Sequence, residues 1–108
     1  MAHKFAKKLS LDPQTGAPLA KGPVDPATEE MYRIWVWISQ DETKAAARGS
    51  FDWGNNPVSP EWECPTTLFA DSPRFEAGKK AKGMAVAWVK DGTAKKYYGW
   101  WDEPDIEA

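Results

Sequence analysis

The stretch Met84 to Trp101, MAVAWVKDGTAKKYYGWW, constrains the fold more than any other part of the chain. Its centre, Asp91-Gly92, is the dipeptide of a two-residue type I′ turn, in which both central positions need a positive φ. Strands joined there put Lys90 opposite Thr93. Met84, Val86 and Trp88 then share one face with Lys95, Tyr97, Gly99 and Trp101, while Ala85, Ala87 and Val89 share the other with Ala94, Lys96, Tyr98 and Trp100. A hairpin with one wet side alternates apolar with polar residues, whereas both faces here carry rings. One face is expected to be core, and the other, bearing Tyr98 and Trp100, is a candidate platform.

Two roles are open for that second face. Another segment can cover it and make Tyr98 and Trp100 core residues, the usual fate of large rings. Alternatively it stays partly open and stacks something flat. Two lysines precede the rings in KKYYGWW, and Gly99 admits close approach.

At 108 residues the chain is one domain, and a chain of that length buries about two-thirds of its unfolded surface without staples. Seven Trp are a heavy aromatic load, since each buried ring system removes about 150–250 Å² from water. With one cysteine there is no internal disulfide, and Cys64 has no cationic neighbour in sequence to lower its pKa, so an inert thiol is expected. No apolar run approaches the ~20 residues of a membrane-crossing helix, and MAHKFAKKLSL lacks an apolar secretory core. The expectation is a small soluble cytoplasmic protein with no membrane partner.

The net charge of −2 conceals a segregation along the chain. Residues 1–24 carry +3, residues 25–63 carry −5, Asp71 adds −1, residues 74–96 carry +5 and residues 102–108 carry −4. The basic block coincides with the hairpin, and local field matters more to a ligand than the total. The net charge argues against an indiscriminate polyanion binder.

Taken in order, Pro13, Pro18, Pro23 and Pro26 exclude a long helix at the start, leaving residues 1–24 as a basic arm or a loose hairpin about Asp12 to Gly16. His3, the only histidine, lies in that segment and reads as an ordinary terminal residue. Asp25-Pro26 resembles a single-turn helix start. Tyr32 to Ile38 is β-branched and aromatic, which favours a strand buried on both faces over the competing helix template. Ser39 to Glu42 fits a capping box for a short helix over 41–48, with a hairpin turn at Asp41 to Lys44 as its rival. Ser72-Pro73 opens a second expected helix over 73–82. The tail 102–108 is expected to be acidic, exposed and mobile. The fold class expected is therefore α+β: residues 25–101 as one globular domain, mainly antiparallel sheet, with one or two short helices and a C-terminal β-hairpin.

Signatures of enzymes are absent: no GxSxG, Walker loop, GxGxxG, CxxC or HExxH occurs. Glu61 and Glu63 share a side of Trp62 only if that segment is a strand, and the acidic tail lacks the spacing of a calcium loop. A non-enzymatic binding protein without metal or cofactor is expected. The candidate ligand-binding residues are Lys90, Lys95, Lys96, Tyr97, Tyr98, Trp100 and Trp101. Bases of single-stranded nucleic acid would stack on the rings while the lysines neutralise phosphates, with little preference for sequence. The alternative partner is a protein, with the same aromatic patch as hot spot of an inhibitor or adaptor.

Overall fold

The computed structural model describes residues 4–23, 30–52, 61–91 and 93–108. Among them the chain runs through nine strands and no helix: β1 (Lys8–Ser10), β2 (Leu19–Pro23), β3 (Glu30–Gln40), β4 (Ala45–Asp52), β5 (Glu61–Pro65), β6 (Thr67–Leu68), β7 (Lys82–Asp91), β8 (Ala94–Asp102) and β9 (Asp105–Glu107). The α+β expectation is thus corrected to a β fold. Strands β6-β4-β3-β7-β8 form one five-stranded antiparallel sheet, β2 pairs antiparallel with β5, and β1 pairs parallel with β9.

Both expected helices fail for the same reason. The backbone groups of each segment are satisfied by partners distant in sequence, which outweighs local propensity. Gln40 pairs with Ala45, so residues 41–44 are the loop of the β3–β4 hairpin, with Lys44 at φ 63°. Ala45, Ala46 and Ala47, within the segment expected to be helical, instead alternate across the sheet, Ala45 and Ala47 buried on its inner face. In the second segment Ser72 caps nothing. Its hydroxyl accepts from the Ala46 N–H at 2.9 Å. The Phe75 N–H donates to the Gly16 carbonyl, and the Gly78 N–H to that of Ile106. The buried carboxamide of Gln40 holds this loop in place, since its Nε2 donates to the carbonyls of Glu76 (3.0 Å) and Lys79 (3.3 Å). Its Oε1 accepts from the Glu76 N–H (2.9 Å) and the Thr43 hydroxyl (2.8 Å).

The core lies on one side of the five-stranded sheet. Ile34, Val36 and Ile38 of β3 line it with Ala45, Ala47, Ala85, Ala87 and Val89. Opposite them, the covering layer supplies the large groups: Phe5, Leu9, Trp62, Phe75 and Ile106. Small residues on the sheet let that layer come close, as at Gly83, where an added Cβ would stand 2.9 Å from the Phe5 ring.

The ends of the chain take part in this cover. Residues 12–16 form the turn of a hairpin closed by the Leu11–Pro18 bridge, with the Gly16 N–H donating to the Asp12 carbonyl. The tail, expected to be exposed, places Ile106 at 1% exposure between β1 and the Gly78–Ala81 segment. His3 and the Asp25-Pro26 turn fall outside the described residues.

A candidate aromatic ligand-binding face

The C-terminal hairpin forms, two residues out of the expected register. Asp91 pairs with Ala94 and Lys90 with Lys95, where Lys90 opposite Thr93 was expected. Because the slip is by two, each side chain keeps its face. What changes is the cross-strand partner: Trp88 faces Tyr97, Val86 faces Gly99 and Met84 faces Trp101, and Gly92 of the turn lies outside the described residues.

The two faces have opposite fates. Tyr98 and Trp100 are partly buried against the core. Trp62, carried in by β5, meets Trp100 edge-on with centroids 6.1 Å apart and ring planes at 67°. Covering by a distant segment is therefore the role the structure supports for these two rings. Lys96 lies on the same side, exposed near the hairpin tip. The opposite face, expected to be core, is the open one.

On that face cross-strand pairing sets residues in rows. One row runs Arg48, Trp37, Met84, Trp101; the next runs Ser50, Trp35, Val86, Gly99; a third runs Asp52, Arg33, Trp88, Tyr97. Tyr97 and Trp101 are each 69% exposed and Met84 is 50% exposed. Trp35 and Tyr97 stack at 6.5 Å with planes 28° apart. The strand β3 was expected to be buried on both faces. Instead its aliphatic residues point inward and Trp35 and Trp37 outward.

Cations sit over several of these rings. Lys95 Nζ lies 5.5 Å from the Trp88 ring centroid, Arg48 lies 5.3 Å from Phe69, and Arg33 lies 5.4 Å from Trp35. Arg33 is also bound to Asp52 at 3.6 Å and to the Ser50 hydroxyl. Among the described residues no carboxylate pairs with Arg48 or Lys95. Three other lysines are already engaged by carboxylates: Lys79 by Glu76 and Glu42, Lys80 by Asp105 and Lys82 by Asp41. The hydrogen bond that Lys79 donates to the Glu76 carboxylate holds its pKa above the ordinary value, and the one that Lys82 donates to Asp41 does the same.

Two hollows open on this side of the sheet. A groove of 530 Å³ beside β6 is lined by Trp35, Trp37, Arg48, Ser50, Thr67 and Phe69, among others. A second hollow of 270 Å³, almost wholly apolar, lies among Trp37, Ala46, Phe69, Met84 and Trp101.

Of the seven residues expected at the site, the structure brings Lys90, Lys95, Tyr97 and Trp101 together on the open face and puts Lys96, Tyr98 and Trp100 on the other. Sequence reasoning missed Trp35, Trp37, Arg48 and Phe69. The signal for the first two was present, since in IWVWI the aliphatics and the indoles alternate with period two.

Elsewhere, Glu61 and Glu63 do share a side of β5, both exposed, opposite buried Trp62 and Cys64. Burial pushes the Cys64 thiol up to about 11. No group of three or more His, Cys, Asp or Glu able to hold a metal ion occurs among the described residues. Comparison with protein-family models, with curated proteins and with solved structures finds no match for this chain.

Proposed function

We propose that the open aromatic face binds single-stranded nucleic acid without marked sequence preference, as a binding module and not an enzyme. One observation carries this reading: exposed rings share a face with cations, and two of those cations, Arg48 and Lys95, pair with no described carboxylate and border the face on opposite sides. Each ring is a stacking surface for any base, contributing about 1–3 kcal/mol, and each free cation replaces a counterion on a phosphate. By strand geometry, three strand spacings and six residue rises separate Lys95 from Arg48, a diagonal of about 25 Å. That span suits a short bound segment, near the lower end of the ~4–16 nucleotides that an OB fold covers.

A protein partner is the second reading, favoured by the apolar hollow among Trp37, Phe69, Met84 and Trp101, which has the character of a hot-spot pocket. Salt separates the two. Tryptophan emission titrated with a mixed-sequence single-stranded oligonucleotide should be quenched at low salt, and the apparent affinity should fall steeply as salt rises. No quench at low salt and micromolar protein would overturn the nucleic-acid reading.

A further inference from the structure

Gly99 is an unexplained glycine in a strand. A glycine in a strand interior costs stability and normally answers a need of the backbone or of packing. At Gly22 an added Cβ would run into the Lys4 carbonyl, at Gly49 into the Pro65 carbonyl, and at Gly83 into the Phe5 ring. Gly16 and Gly78 have φ of +77° and +85°. Gly99 meets neither condition. Its φ is not in the left-handed region, and the nearest atom to an added Cβ would be the Ala85 carbonyl oxygen, at 3.8 Å.

What the missing side chain leaves is a gap in the open face. Gly99 stands midway between Tyr97 and Trp101 on β8, opposite Val86 of β7. Those two rings start about 13 Å apart along the strand, so an inserted ring about 3.4 Å thick fits between them once they lean toward it. Trp35, in the same cross-strand row as Val86 and Gly99, stacks on Tyr97 and bounds the slot on the side of β3. The backbone of β8 and Val86 form the floor. As the outer strand of the sheet, β8 leaves the slot approachable from the side.

We propose that the gap over Gly99 is a slot for one planar heteroaromatic ring, a nucleobase of the bound strand, gripped between Tyr97 and Trp101. This rests on the nucleic-acid reading above, and Lys95, on the same strand and face, lies where the adjoining phosphate would pass.

The test compares the unaltered chain with Gly99→Val and Gly99→Ala. Binding of a fluorescein-labelled mixed-sequence single-stranded oligonucleotide is followed by anisotropy, and folding by thermal melting. Valine suits a strand and fills the slot. The expected result is a Gly99→Val protein that melts at or above the temperature of the unaltered chain and binds about tenfold more weakly. Alanine should fall between. Equal binding by all three overturns the slot and leaves the nucleic-acid reading standing, whereas no binding by the unaltered chain overturns both. A valine variant that fails to fold also contradicts the slot, because it would show that packing needs the glycine.

Discussion

Trp62 sets its ring edge-on against Trp100, centroids 6.1 Å apart, and this contact decides which side of the C-terminal hairpin can meet a ligand. Trp62 itself is 1% exposed and also meets Phe5 edge-on, with centroids 5.5 Å apart. The inner face of the hairpin is therefore core.

Substitutions of neighbouring tryptophans should then behave oppositely. Trp100→Ala removes a ring packed on the core and should cost about 3 kcal/mol in urea unfolding. Trp101→Ala, on the exposed side, should stay within about 0.5 kcal/mol of the unaltered chain. The same pair inverts for binding, with Trp101→Ala the variant that loses oligonucleotide affinity while folded.

The Gln40 carboxamide should prove more important to stability than any surface ion pair. It saturates both its donor and acceptor sites on the 76–79 loop and Thr43. Gln40→Leu strands the N–H and carbonyl of Glu76 and leaves the Lys79 carbonyl only the Ile106 N–H, and should cost about 2–3 kcal/mol. Limited proteolysis should find its first new cleavage between residues 73 and 81.

Cys64 gives the protein an alkaline limit. Its thiol is held at about 11 in the folded state by burial, against an ordinary 9.0. The raised value means the folded state keeps the proton that the unfolded state releases, so the contribution is complete below pH 9 and is lost as pH climbs from 9 to 11. Urea midpoints should fall more steeply over that window for the unaltered chain than for Cys64→Ala. At pH 8 the folded protein should resist thiol-directed alkylation.

How far the sequence went depends on how local each determinant is. The partition of the hairpin into two faces follows from side-chain alternation alone, and it survived a register error because a shift of two preserves parity. The strand at Tyr32 to Ile38 was legible from its β-branched run. The helices expected over 41–48 and 73–82 rested on real local signals, a capping box and a Ser-Pro start, which lost to pairing with β3 in the first case and to bonds made with Gln40, Gly16 and Ile106 in the second. Which hairpin face lies open was not legible at all. Both carry rings, and the choice is made by Trp62, from a segment with no local relation to the hairpin.

The two uncommitted cations should carry the salt dependence. For single strands each phosphate contact contributes about 0.7 to the slope of log affinity against log salt. Arg48→Ala and Lys95→Ala should each flatten that slope by about this amount. Lys82→Ala, whose ammonium is engaged by Asp41 at 3.1 Å, should change it less.

The most direct test follows the indole N–H resonances by NMR, assigned with single Trp→Phe variants, as a single-stranded oligonucleotide is added. Trp101 and Trp37 face outward, whereas Trp62 and Trp100 pack inward. Binding on the open face predicts shifts of the first pair with the second pair nearly still. Shifts confined to Trp62 and Trp100, or no shift in any indole at low salt, would contradict it.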